Sequence, residues 1–197
     1  MLCGKINADQ TVDCENPLVA GSKDRMILIN LDDWEGATVT YDAANPCLIT
    51  NIVLAAGKVG YLYEGINGSI EPEDNSTQPE FGLPTYIHKV TFRVFSASAV
   101  AKQQIEKLAL GRYIAITENN MKGKNGDSAF EVRGVTVGMK ASVTRNRKDA
   151  ATQGAFVIVA ETPATEGEQH LPATLYATEA TYAATKAIFD SLLVVAA

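Results

Sequence analysis

The sequence predicts a mainly β chain: an antiparallel β-sandwich or barrel with one helix packed on it and a second helix near the C-terminus. Three observations carry this prediction. Tyr86–Phe95 alternates, with His88, Val90, Phe92 and Val94 on one face and Lys89, Thr91 and Arg93 on the other. Residues 129–143 alternate again, with Phe130, Val132 and Gly134 set against Glu131 and Arg133, and Met139, Ala141 and Val143 continuing on the far side. Between them lies a single amphipathic helix at Ser98–Leu110. From Pro84 to Glu161 the order is therefore strand, helix, strand, long bent strand, strand. Few reactive side chains fall in it, so it reads as a self-associating β unit rather than an enzyme.

Taken in order, residues 1–25 are polar, carry Asn16-Pro17 and Gly21-Ser22, and read as an extended N-terminal arm. Met26–Leu31 is a short apolar strand. Ala37–Tyr41 is a second, rich in strand-favouring Thr, Val and Tyr. Asn45-Pro46 marks a turn, Leu48–Ala55 a third strand and Val59–Tyr63 a fourth. Gly65–Ser69, with Asn67-Gly68, reads as a hairpin tip. Residues 70–85 hold Glu71, Pro72, Glu73, Asp74, Pro79, Glu80 and Pro84 with no Lys or Arg, and 64–85 is expected to project as a loop.

The helix at 98–110 has Ser98 as its cap, Ala101, Ile105 and Leu108 on one face, and Gly111 as its stop. Tyr113–Glu118 is a strand and Ala129–Thr144 a long strand that Gly134 and Gly138 bulge or bend. Ala155–Glu161 is a buried strand and Pro163–Pro172 a polar linker. Thr178 caps a final helix to about residue 193. The domain reading is an arm at 1–25, a β-rich domain at 26–161, and a linker with a C-terminal helix at 162–197.

Bulk properties narrow the function. The 197 residues suffice for one large domain with a real core. The net charge of −6 argues against sequence-specific nucleic-acid binding, which needs a basic footprint. The three cysteines, Cys3, Cys14 and Cys47, are an odd number and read as reduced thiols, although Cys3 and Cys14 could pair under oxidising conditions. Residues 1–25 lack an apolar core segment, so no signal peptide is expected. No run reaches the length of a membrane span.

A search for chemistry yields no catalytic set. His88 sits on the apolar face of a strand and reads as a core or interface histidine rather than a base. His170 reads as solvated. Two histidines without a Cys-x-x-Cys pair make no zinc signature. Gly57-Lys58 and Gly123-Lys124 lack the spacing of a phosphate loop and read as turns. Asp32-Asp33 reads as a solvated pair ending a strand, with a weak cation site as the other reading. No cofactor or metal is expected. Arg145, Arg147 and Lys148 form a basic turn, which is either simply solvated or pairs with the acidic Glu71, Glu73, Asp74 and Glu80 of a neighbouring subunit.

The element order, and Ala129-Phe130-Glu131-Val132-Arg133-Gly134 followed by Gly138-Met139, resemble phage tail tube and major tail proteins, and the whole chain resembles structural proteins of phages infecting Bacteroidota. The resemblance covers about residues 26–161 and rests on element order. It implies a virion structural protein, a tail tube subunit stacking in homo-oligomeric, sixfold rings. DNA would pass through the lumen without sequence readout, and other virion structural proteins would be partners. The arm and the final helix depart from a minimal tube fold. They leave open a capsid-associated or head-to-tail joining protein, or a surface binding module.

Overall fold

One strand pair is buried on both faces, and the rest of the chain is arranged around it. The computed structural model describes residues 19–78 and 82–195. Its strands are β1 (Ser22–Asn30), β2 (Thr38–Tyr41), β3 (Leu48–Val53), β4 (Tyr61–Glu64), β5 (Ile70–Thr77), β6 (Thr85–Val94), β7 (Arg112–Asn119), β8 (Phe130–Arg133), β9 (Met139–Arg145), β10 (Phe156–Glu161) and β11 (Ala173–Leu175). Its helices are α1 (Leu31–Glu35), α2 (Ala99–Leu108) and α3 (Tyr182–Ser191).

The central pair is β1 and β7, antiparallel, with Ile27 opposite Ile116, Leu28 opposite Ala115 and Ile29 opposite Ile114. Both strands are nearly continuous apolar runs, the pattern of a strand covered on each side. Side chains alternate between two cores. Met26, Leu28 and Ala115 point into one with Ile70, Val90, Phe92, Ile105, Leu108, Met139 and Ile158. Ile27, Ile29, Ile114 and Ile116 point into the other with Trp34, Ile49, Ile52, Phe130, Leu175 and Phe189. Each such Ile, Leu, Val, Phe or Met side chain stabilises the fold by about 1.5–3 kcal/mol relative to an exposed one.

On each outer edge of this pair a strand is interrupted and then leaves for a second neighbour. On the β7 side, β8 pairs Ala115 with Arg133 and β9 pairs Tyr113 with Met139, so residues 134–138 are extruded between two stretches of one partner strand. Gly134 and Gly138 take φ of 77° and 72°, and a Cβ on Gly134 would lie 3.0 Å from the Tyr113 carbonyl oxygen. On the β1 side, β4 pairs Met26 with Tyr63, the turn 65–69 follows, and β5 then starts beside Ser22. There the Ser22 hydroxyl donates to the Ile70 carbonyl at 2.5 Å. The Asp24 carboxylate accepts from the Gly68 and Ser69 N–H groups and fixes this turn.

The whole is one mixed sheet of eleven strands in the order β2-β3-β11-β8-β7-β9-β10-β6-β5, with β1 on β7 and β4 on β1. Its ladders are antiparallel except β3–β11, where Leu48 faces Thr174. The expected antiparallel arrangement is thus corrected to a mixed one, and no ladder among the described residues closes the sheet. Helix α2 has the expected Ser98 cap, whose hydroxyl accepts from the Ala101 N–H, and the Tyr113 hydroxyl ties its end by donating to the Lys107 carbonyl.

Several expectations are corrected. Residues 70–77 form β5, paired along their length with β6 from Ile70–Phe92 to Thr77–Thr85, and do not project as a loop. The turn at 65–69 has Asn67 and Gly68 at positive φ, but it joins strands that pair with other partners and is not the expected hairpin tip. Strand β1 begins at Ser22, inside the expected arm; residues 1–18 lie outside the described residues. Asp32 and Asp33 open α1 instead of ending a strand. Residues 162–195 pack into the same fold: β11 sits in the sheet between β3 and β8, and Phe189 and Leu192 at the last helix are buried. That helix is capped by Thr181, not Thr178, through the Ala184 N–H. No helix among the described residues is long and apolar enough to cross a membrane.

Candidate functional site

The acidic residues expected to meet a neighbouring subunit lie on β5 and are paired within the chain. Glu71 accepts from Arg93 at 3.2 Å and Glu73 from Lys89 at 2.7 Å, both across the β5–β6 ladder. The Lys89 ammonium, helped by the Asn75 amide, holds the Glu73 carboxyl below its ordinary range. Asp74 takes both oxygens to the buried Arg133 guanidinium. Glu80 lies outside the described residues.

The basic residues are elsewhere. Arg145 ends β9, donates to the Gly154 carbonyl at 2.9 Å and lies 4.2 Å over the Phe156 ring. Arg147 and Lys148 are exposed in the following turn. Strands β6 and β10 separate β9 from β5 in the sheet, so the fold does not bring the two sets together.

The buried polar groups that the sequence did not single out are structural. Arg133 also donates to Glu131 at 2.6 Å and to the Thr117 hydroxyl at 2.8 Å, which satisfies a guanidinium that is only 3% exposed. The Glu118 carboxylate accepts from Lys23 and from the Tyr182 hydroxyl, each at 2.6 Å. Burial pushes the Glu118 carboxyl up, but these two donors outweigh it and leave it below the ordinary range. Asp33 accepts from Asn30 and from Lys58, which together lower its pKa, so the pair once read as solvated is half structural.

His88 is buried, as its strand face implied. The Gly134 N–H donates to Nδ1 at 3.1 Å, so Nε2 carries the proton and donates to the His170 carbonyl at 3.0 Å. A cleft of about 260 Å³ lies over this point, lined in part by Tyr41, Pro46, Cys47, Val135 and Leu171. The Cys47 thiol is free and half-buried. No group of three or more His, Cys, Asp or Glu side chains among the described residues is placed to hold a metal ion.

The surface is more informative than the interior. Strand β2 pairs only with β3, β4 only with β1, and β5 only with β6, so each presents an unpaired edge among the described residues. Two of these edges carry large apolar side chains in solvent: Tyr61 is 51% and Leu62 40% exposed on β4, and Tyr41 is 42% exposed on β2. Beside β4, an open groove of about 480 Å³ runs between Tyr61, Tyr63 and Tyr113 and the Gln104–Leu108 turn of α2. These features could be anticipated only in part. The strands were legible, but which of them lie at an edge depends on pairing. Comparison with protein-family models, with curated proteins and with solved structures finds no match to this chain.

Proposed function

We propose that this chain is a self-assembling structural subunit without catalytic activity, and specifically a virion tail tube subunit. It would stack in homo-oligomeric, sixfold rings whose lumen conducts DNA without reading its sequence. The observation that carries this reading is the set of unpaired edges at β2 and β4 with Tyr41, Tyr61 and Leu62 exposed on them. An edge with free N–H and C=O groups and apolar side chains is a template for another strand, and isolated subunits usually blunt such edges. Pairing between copies satisfies the edges, and a heterologous contact that closes gives a ring.

The resemblance in element order supports the tube form of this reading. The curl of the sheet supports it too. The path β1-β7-β9-β10-β6-β5 returns to β1 at the Ser22–Ile70 contact without a closing ladder. A barrel continued from copy to copy in the ring is the proposed completion. Arg147 and Lys148 form a second proposed contact, against carboxylates of the neighbouring copy. Glu71, Glu73 and Asp74 would contribute less there than unpaired acids, because Arg93, Lys89 and Arg133 already hold them.

Electron microscopy of the purified chain, with light scattering across concentration, tests the reading. Rings or tubes are the expected result. A monodisperse monomer at high concentration overturns it and favours a surface binding module; a closed ring that never stacks favours a joining protein.

A further inference from the structure

The extruded segment 134–138 sits where the sheet divides between its two cores, and two titratable side chains hold its backbone. The Gly134 N–H donates to His88 Nδ1 at 3.1 Å. The Thr136 and Val137 N–H groups donate to the Glu168 carboxylate, at 3.1 and 2.9 Å. Both acceptors are buried, His88 at 1% and Glu168 at 2% exposure. Glu168 is fixed in turn, because its backbone exchanges two hydrogen bonds with Tyr86 at 2.7 and 2.8 Å. We propose that this segment is a pH-operated latch, held closed while His88 is neutral and released when the ring is protonated.

The argument is one of donors and acceptors. Neutral His88 has one acceptor nitrogen, and Gly134 uses it. The other nitrogen already donates to the His170 carbonyl. A proton added at Nδ1 therefore sets two N–H groups against each other at hydrogen-bond distance. Ring or backbone must then move. Gly134, at φ 77° and free of a Cβ, is the least restrained point in the contact.

The charges around the ring set where this happens. Asp74 faces His88 across the β5–β6 ladder and Glu168 faces it from the segment after β10; both favour the charged ring. Burial opposes it more strongly, and Arg133 on β8 opposes it too, so the ring titrates below the ordinary imidazole range. The Tyr41 phenol and His170 line the same cleft, while Lys140 on β9 and Arg112 on β7, the latter paired with Glu166 of the turn after β10, flank the segment. Arg112 also donates to the Val137 carbonyl at 2.9 Å, and the Glu168 carboxylate still accepts from Thr136 and Val137, so these anchors of the segment survive protonation and only the Gly134 end is released. The release is therefore local. It loosens the joint between β8 and β9 and leaves the ladders intact.

Hydrogen exchange and amide NMR on the intact chain test this across a titration from about pH 7.5 down to about pH 4, which runs through and below the ordinary imidazole range. After correction for intrinsic rates, protection at Gly134 is expected to fall at least about tenfold, while Thr136 and Val137, whose N–H groups Glu168 still accepts, lose less and protection in β3 stays constant. The Gly134 amide shift and the His88 ring shift should titrate with one midpoint. The His88→Gln variant, whose amide oxygen accepts at any pH, should abolish the step. Unchanged protection in the wild-type chain, separate midpoints for ring and amide, loss of protection throughout the chain, or a step that persists in His88→Gln would each overturn the proposal. The midpoint comparison needs only the wild-type chain and so holds even where the variant fails to fold.

Discussion

Arg133 and Asp74 form a fork-to-fork ion pair between β8 and β5, with Nε to Oδ1 at 3.0 Å and Nη2 to Oδ2 at 2.8 Å. The guanidinium is buried and the carboxylate partly so. This one pair ties the strand that the sequence suggested was loop to the centre of the sheet. Removing one partner of a buried pair leaves the other charge uncompensated. Asp74→Ala is expected to cost about 2–4 kcal/mol, moderated because Glu131 remains on the same guanidinium. Glu73→Ala removes an exposed cross-strand pair and should change stability little. Urea unfolding of both variants checks the order; equal losses would mean that the Arg133 pair is not the stronger tie.

Helix α3 docks by close approach of Tyr182 to Gly126 and by Phe189 under Phe130. A Cβ on Gly126, which has φ 95°, would lie 2.5 Å from the Tyr182 Cβ. The Phe130 and Phe189 rings are 4.9 Å apart. Gly126→Ala should therefore cost about 2–3 kcal/mol through overpacking and backbone strain. Phe189→Ala should cost about 3–5 kcal/mol through a cavity in the core shared with β8 and β11. Thermal unfolding checks both. A single cooperative transition that falls in each variant is expected, since this helix belongs to the same core as β1 and β7. Loss of the helix with the sheet intact would mean that it is an appendage.

The strands that were legible in the sequence are those whose alternation is set by local burial. In β6, His88, Val90 and Phe92 face the core and Lys89 and Arg93 the β5 acids. Helix α2 was legible through Ser98 and the Ile105–Leu108 face. Residues 70–77 were not. Pro72 and three carboxylates read as loop, yet an edge strand tolerates proline, and Arg93 and Lys89 supply the cross-strand charge from a distant segment. Strand β11 spans three residues just after a polar stretch, too short to show alternation, and only its place between β3 and β8 makes it a strand. Of the proposed contact surface, the basic turn at Arg145–Lys148 could be read locally. The edges could not, because an edge is defined by the strand it lacks.

Acid should weaken the fold through Glu118. Its carboxyl titrates below the ordinary range despite burial, held down by Lys23 and Tyr182. A depressed carboxyl pKa gives stability that is complete above the unfolded value, about 4.3, and lost as pH falls through the folded one. Glu118→Gln should be less stable at neutral pH and show a shallower loss of stability below about pH 5. Unfolding midpoints across this range check it; parallel curves for both chains would mean that Glu118 does not contribute.

Charge placed on the proposed assembly edges should separate folding from association. Leu62 and Tyr41 are exposed in the single chain, so Leu62→Lys and Tyr41→Lys should leave subunit stability within about 0.5 kcal/mol. In an assembly they would lie at the strand junction, where an inward lysine blocks edge pairing. The expected result is a shift from rings to monomers with an unchanged unfolding curve. Arg147→Ala with Lys148→Ala gives the contrast. If the basic turn is the stronger contact, that double variant dissociates the assembly and the wild-type assembly weakens steeply with salt. If the edges are stronger, salt has little effect, because main-chain pairing and apolar contact carry no screened charge. Assembly that survives all four substitutions at wild-type concentration removes both contacts from consideration and, with them, the edge-pairing mechanism proposed for the ring.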